Sequence, residues 1–479
     1  MHCQRFDNTL SRRDFLMRTG YGAGAAALHQ LFGPTAAMAG GAPVFPNFAP
    51  KAKRVICLFQ SGGPSHLELF DPKPLLKQRF NEDLPDSVRQ GQRITGMVSG
   101  QARLALQPSK YGFKQCGQDG AWISDLLPHT QSIVDEIAII RSMTTEAINH
   151  DPAITFFQTG NQQPGRPSMG AWLDYGLGTM NSDLPAFIVF TSIASDGKAG
   201  QGLLSRLWGN GFLPGKHQGV QLRTDGDPVL YLSDPKNVTR AQRRSMLDRV
   251  AALNQQRFAT QGDPEIETRI SQYELAYRMQ ASVPEMMDMG KESPATLAMY
   301  GDDVTKPGTF ARNCLLARRL AERGVRFIQL YHRDWDHHVG LTDRLPMITQ
   351  DVDQPSAALV KDLKQRGMLD DTLVIWGGEF GRTPYAQGGA NLDKYGRDHH
   401  GRCFSLWMAG GGIKPGLVYG STDEFGFNIV ENPVTIHDLH ATILHCLGID
   451  HTRLTHRFQG LDFRLTGVEA SKVVKKLLA

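Results

Sequence analysis

The chain has 479 residues, with 52 Lys and Arg against 48 Asp and Glu, and a formal net charge of +4. Charges so nearly balanced leave no basic footprint for nucleic acid, and no stretch reaches the roughly 20 apolar residues of a membrane span. What remains is a soluble globular protein long enough to bury a sizeable core.

The first element in chain order is a targeting segment. SRRDFL at 11–16 has the form of a twin-arginine export signal, followed by a Gly/Ala-rich, mildly apolar run and by Ala37-Met38-Ala39, a small-x-small cleavage pattern. Cleavage after Ala39 would remove four Arg and two acidic residues and lower the charge from +4 to +2. The twin-arginine machinery would then deliver residues 40–479, read as a single α/β domain, to the periplasm or the exterior. That route carries folded proteins, which suits a chain that acquires metal before export. Cys3 leaves with the leader, and the five remaining cysteines form no CxxC pair. Four of them sit in apolar runs and read as buried thiols, while Cys116 lies in a polar loop.

Beyond the leader, short apolar runs alternate with helical patterns. The runs at 55–59, 137–140, 186–190, 325–331, 373–376 and 404–408 read as buried strands, because VICLF, FIVF and LVIW are continuously apolar rather than alternating. Helices are expected at 151–159, 168–175, 309–323, 356–366 and 435–447, the last three followed by a glycine stop. This order predicts a mostly parallel central sheet flanked by helices. Residues 192–305 break the rhythm with a Gly-rich opening and two charged helical patterns at 240–257 and 264–280, which read as a helical insertion on the surface, with a separate domain as the alternative.

In open α/β sheets ligands bind beyond the carboxyl ends of the strands. QSGGPSH, SMTTEAINHD, HRDWDHH and GGEFGRTP each follow an expected strand, so four loops distant in sequence are expected on one sheet edge. These motifs, with GRDHHG at 396–401, mix carboxylates and imidazoles without cysteine, which suits a divalent ion better than a thiolate-held zinc or an iron–sulfur cluster. In WDHH an extended backbone puts Asp336 and His338 on one side, making them the preferred ligand pair. In GRDHHG a turn would present Asp398 with His399, leaving His400 to orient a carboxylate or meet substrate. Glu379, directly after a strand, completes the ligand set. His66 is either a ligand or part of a capped turn after Gly62-Gly63. His440 stands at a helix start as a ligand or substrate contact, and Asp438 beside it as a cap. Arg382 is the best anion binder, unless it forms a salt bridge to a neighbouring ligand carboxylate.

GGPSHLELFDPKP, NHDPAITFFQTG, RFIQLYHRDWDHH, TLVIWGGEFGRTP, GRDHHGRCFSLWMAGGG and TIHDLHATILHCLGI, in this order, resemble the twin-arginine-exported, sulfatase-like family known as domain of unknown function 1501. That resemblance implies a branch of the alkaline phosphatase superfamily, whose members hydrolyse phosphate or sulfate esters at metal centres. It also exposes departures. Gln60 and Ser61 stand where the superfamily has a metal-binding aspartate, Asn149 or His150 stands near the nucleophile position, and 378–381 keeps one carboxylate of the usual pair.

The resulting expectation is a metal-dependent hydrolase of anionic small-molecule or polysaccharide esters. Asp336, His338, Glu379, Asp398 and His399 would hold one or two divalent ions such as zinc, manganese, calcium or iron. His150 would transfer protons or attack, Arg382 would hold the anion, and His66, Asn149, His400 and His440 would meet substrate. The alternative is a binding or scaffold protein that keeps the fold without turnover.

Overall fold

The strand Arg54–Gln60 shows how the sheet is built. Its side chains alternate between two faces, so Ile56 and Leu58 enter one apolar core while Val55, Cys57 and Phe59 enter the other. A strand wetted on one face could not carry RVICLFQ, and six of its seven residues are buried. The computed structural model describes residues 45–195, 202–223, 228–229, 234–235 and 237–479. The expected twin-arginine leader lies outside the described residues, as do parts of the expected insertion at 192–305. Phe45–Ala479 form one compact unit.

Among the described residues the central sheet has nine strands, in the order Leu417–Tyr419, Ile137–Thr144, Phe404–Ala409, Thr372–Gly377, Arg54–Gln60, Phe327–His332, Phe187–Ser192 and Val220–Gln221, with Val434–Thr435 also pairing to Ile137–Thr144. All pairings are parallel except those of Phe404–Ala409, which runs antiparallel to both neighbours. This reversal has a cause in the chain. After Thr372–Gly377 the backbone stays at the carboxyl edge to form a two-stranded ribbon from Gly381–Ala386 and Arg397–His400. The next strand therefore enters the sheet from that edge and runs back.

Helices cover both faces. His150–Thr159, Met169–Leu177 and Ile436–Cys446 pack on the core that contains Phe59, Phe157, Trp172 and Ile443, while Phe310–Glu322 and Leu341–Gln365 pack on the core with Ile56, Leu315, Val352 and Trp376. Each buried Leu, Ile or Phe contributes about 1.5–3 kcal/mol. The expected helix at 356–366 is much longer, because Leu341–Gln365 continues through Pro346 and Pro355. Proline removes a backbone donor and disfavours a helix interior. Here burial of Leu345, Ile348, Val352, Leu359 and Leu363 along one stripe outweighs that cost. All five described cysteines are free thiols, with Cys57, Cys314, Cys403 and Cys446 buried and Cys116 partly exposed.

Within the insertion, Arg240–Gln261 and Pro264–Met287 form two long helices, started by a Thr239–Gln242 capping box and an Asp263 cap. They are tied together where Arg244 Nη1 donates to Glu274 at 2.9 Å. Met279, Val283 and Met286 of the second helix reach the core, whereas Leu247 is the single buried residue of the first.

Candidate metal centre

Three histidines and one aspartate converge beyond the carboxyl edge of the sheet. His150, Asp336, His338 and His399 each offer a ligand atom, and these atoms lie within 4.8 Å of one another. Asp336 Oδ1 is the hub. It lies 2.9 Å from His338 Nε2, 3.2 Å from His150 Nε2 and 3.3 Å from His399 Nε2.

Each ring is oriented from behind. His399 Nδ1 is 2.8 Å from the carbonyl of Ile148, His150 Nδ1 is 2.6 Å from Glu379 Oε1, and His338 Nδ1 faces Gln387 Oε1. A carbonyl or carboxylate oxygen can only accept, so these Nδ1 atoms carry a proton, and in the neutral form of each ring Nε2 presents a lone pair. His338 Nε2 and His399 Nε2 stand 2.9 Å apart. His150 Nε2, although close to Asp336, is a buried nitrogen without hydrogen-bond geometry. Lone pairs facing one another and a carboxylate oxygen repel unless a cation lies among them. Metal bonds of about 2.0–2.1 Å in a tetrahedron would separate the donors by about 3.4 Å, close to the spacings around Asp336. The residues fit a divalent ion.

Local backbone chemistry makes the convergence possible. The Asp336 and His338 loop follows Phe327–His332, with Asp334 in the left-handed region at φ 79° and paired to Arg344 at 2.8 Å. A Cβ at Gly396 would lie 1.9 Å from the carbonyl oxygen of His338, so only glycine lets the two segments touch there. Gly62, at φ 122°, has the same role, since a Cβ would lie 2.6 Å from the Asp336 nitrogen. Its own N–H donates to Glu379 Oε1 at 3.0 Å and Oε2 at 3.2 Å.

Asp336, His338 and His399, three of the expected ligands, are brought together in the candidate group. His150, expected to act on substrate, stands among the candidate ligands instead. Glu379 does not join the four, because it is turned onto His150 and the Gly62 amide, in the position of the carboxylate that commonly backs a ligating histidine. Replacing Glu379 with Gln is expected to weaken metal affinity about 10–100-fold without removing a ligand, as equilibrium metal competition would measure.

Asp398 is also placed elsewhere. A register irregularity between Arg397 and His399 breaks the simple alternation of the strand, so Asp398 accepts from Thr95 Oγ1 and from the His399 amide at 2.8 Å. His400 donates to the carbonyl of Phe427 at 2.7 Å and stacks on its ring. His66 is buried against the carbonyl of Gly426 at 3.1 Å, and Asn149 is an exposed helix N-cap. Neither is brought into the cluster. Asp438 forms a capping box with Thr435, as its place at the helix start leads one to expect.

Arg382 takes the second of its two sequence readings. Its guanidinium is 1% exposed and donates to Gly63 O at 2.9 Å, Arg397 O at 3.1 Å, Gly62 O, and Asp336 Oδ1 at 2.6 Å. Buried and bonded on all three nitrogens, it braces the loops and the Asp336 carboxylate.

The electrostatics follow from these contacts. Burial works to raise the pKa of Asp336, but His150, His338, His399 and Arg382 outweigh it and hold the carboxyl well below its usual range. Burial pushes His399 down to about 4, with Arg382 adding and Asp336 opposing, so it is a neutral donor at neutral pH. For His150 burial again lowers, yet Asp336 and Glu379 on either side leave it raised in net. The partners behind the rings are what sequence reasoning missed. Gln387 belongs to no motif, and Ile148, although inside SMTTEAINHD, acts through a backbone carbonyl that its side chain does not announce.

His440 lies in the helix layer, fully buried, with Nε2 donating to the Phe157 carbonyl at 2.8 Å. Burial chiefly, with His437 beside it, lowers its pKa to about 3. Below an unfolded pKa near 6.5 the unfolded chain takes a proton that folded His440 refuses, so stability is lost as pH falls from about 6.5 towards 3. His440→Gln, which keeps a donor for Phe157, is expected to reduce that loss by about 1 kcal/mol per pH unit in urea unfolding between pH 6 and 4. An unchanged pH dependence would refute the assignment.

A search of curated proteins found no match. Among solved structures, Ps i-CgsB in complex with k-i-k-neocarrahexaose has 10% identity and a TM-score of 0.35, covering 84% of this chain and 74% of that one. Alkaline phosphatase from the Antarctic bacterium TAB5 has 9% identity and a TM-score of 0.31, covering 83% and 98%. The PsFucS1 sulfatase from Pseudoalteromonas sp. has 13% identity and a TM-score of 0.32, covering 83% and 68%. Likeness this faint leaves the site to be read from its own geometry. The family model described as "Protein of unknown function (DUF1501)" matches residues 52–478, nearly the whole described chain, and the protein belongs to that family.

Proposed function

We propose that the protein is a metal-dependent hydrolase of anionic esters, phosphate or sulfate, acting outside the cytoplasm after twin-arginine export. The observation that carries this reading is the set of Nε2 atoms from His150, His338 and His399, oriented by acceptors at Nδ1 and directed at Asp336 Oδ1. Imidazole-rich donor sets favour zinc, iron or manganese over calcium, which takes oxygen ligands. A cation held there supplies Lewis acidity towards an ester oxygen.

The chain's own residues provide positioning around it. Arg382 keeps Asp336 ionised and fixed, and Glu379 keeps His150 in one tautomer and orientation. The altered nucleophile position read from the sequence, with Asn149 or His150 in place of Ser, Thr or Cys, is compatible with attack by His150 or by water.

Elemental analysis of the purified protein, combined with a panel of phosphate and sulfate esters, tests the reading. Stoichiometric metal and turnover that disappear together in His399→Ala are expected. Metal-free protein would end this proposal, and bound metal without turnover on any ester would favour the binding-protein alternative.

A further inference from the structure

Arg382, the sequence candidate for anion recognition, is buried and bonded to backbone carbonyls and to Asp336. Of the four clustered residues, His399 lines a cleft of about 470 Å³ together with Arg93 and Arg402. Both arginines are exposed, and among the described residues neither guanidinium has a hydrogen-bond or ion-pair partner. Glu146 is the one acid among the lining residues, so two positive charges face one negative charge there.

Both arginines are carried on backbone that the fold pins in place. Arg402 follows His399-His400-Gly401, and the Gly401 carbonyl accepts from the Thr145 amide at 2.9 Å. A Cβ at Gly401 would lie 2.7 Å from the carbonyl oxygen of Thr145, so that contact needs glycine. On the other side of Arg93, Gln92 donates to Asn428 at 2.6 Å and Thr95 Oγ1 donates to Asp398, the residue that directly precedes His399. Arg93 is thus tied to the same strand as a candidate metal ligand.

We infer that this cleft is the anion-recognition site, in which Arg93 and Arg402 hold the phosphate or sulfate group of the ligand beside the metal centre. The inference rests on the proposed function for its orientation, since it takes the cleft as the approach to His399. A guanidinium fork matches a pair of phosphate or sulfate oxygens, and an exposed arginine with no protein partner gives up no internal contact to bind one. The cleft also carries the hydroxyls of Thr95 and Thr145 and the rings of Tyr385 and Phe427. Its volume lies in the range of clefts that enclose small organic ligands, so there is room for the ester's organic part as well as its anion.

The test is calorimetric titration of the metal-loaded full chain with inorganic phosphate and, separately, inorganic sulfate, for wild type, Arg93→Gln, Arg402→Gln and the double variant. Both substituted side chains are exposed, so each variant is expected to fold and to keep its metal. Each single substitution is expected to weaken binding about tenfold, in line with the loss of a charge-assisted hydrogen bond, and the double variant more. A larger loss for one of the two anions identifies the ester class. Wild-type anion affinity in the double variant overturns the inference, as does a wild-type protein that binds neither anion. Metal content is read in the same samples. Absent metal with anion binding that still depends on the two arginines defeats the hydrolase reading and leaves the anion site standing.

Discussion

Asp336→Asn is expected to strip stoichiometric metal from the purified protein, lowering affinity by well over the roughly 100-fold that follows loss of an outer orienting group. Oδ1 of this residue is the one carboxylate oxygen in the four-residue group and the atom on which three imidazoles converge. An amide oxygen is a weaker ligand and carries no charge to balance a divalent ion. The substitution also removes the counter-charge of Arg382, which is 1% exposed, while its contacts to Gly62, Gly63 and Arg397 survive. Breaking a buried pair by removing one partner costs about 3–5 kcal/mol, and less where one partner is partly solvated. Asp336 is 20% exposed on its side chain, which puts the stability cost nearer 1–3 kcal/mol. Metal content after dialysis and urea unfolding separate the two effects. Wild-type metal stoichiometry and affinity in Asp336→Asn would sink the assignment of the centre.

Glu68→Ala is expected to cost about 3–5 kcal/mol of folding stability. Glu68 and Arg397 are both fully buried, and Arg397 contacts the carboxylate at 2.7, 2.9 and 3.1 Å. Tyr395 adds a hydrogen bond to the same carboxylate at 3.2 Å. Alanine would leave a buried guanidinium with carbonyl acceptors from Thr383 and Gln107 but no opposing charge. Arg397 begins the short strand that carries His399, so the damage is expected to reach the metal centre and reduce metal occupancy. The exposed Arg79–Glu82 pair at 2.7 Å is the contrast, because water already solvates both of its partners and its loss should cost less than about 1 kcal/mol. Urea unfolding of the two Ala variants at Glu68 and Glu82 makes the comparison, and equal effects would show that burial does not set the strength of these pairs.

Much of the scaffold was legible because burial on both faces leaves a local record. VICLF, FIVF and LVIW could be assigned to a parallel sheet without knowing their neighbours, since a strand covered on both sides reads as a near-continuous apolar run. Once the strands were assigned, the loops after them followed to one edge. Helix extent was less legible. Pro346 and Pro355 obscure the start of Leu341–Gln365, because propensity is local whereas the apolar stripe that overrides it is recognised only against its core.

The site divides in the same way. Alternation pointed to Asp336 and His338, whereas His399 was chosen on the expectation of a turn where the chain forms the irregular strand Arg397–His400, and the salt-bridge alternative for Arg382 was already visible as a guanidinium near carboxylates. Which carboxylate faces the centre was not. Glu379 and Asp398 have the same chemistry as Asp336, and their roles are set by the Gly62 amide, the irregular register at Arg397–His399 and the hydroxyl of Thr95. The partners behind the histidines, Ile148 and Gln387, lie 251 and 49 residues away from them along the chain. By itself the sequence determined the layered α/β scaffold, the edge at which polar loops gather and the residue types suited to a divalent ion, because periodicity and composition are local properties. Only the tertiary structure decided which donors share one point, which histidine nitrogen is left open and which arginines remain unpaired, because those depend on contacts between segments far apart in sequence.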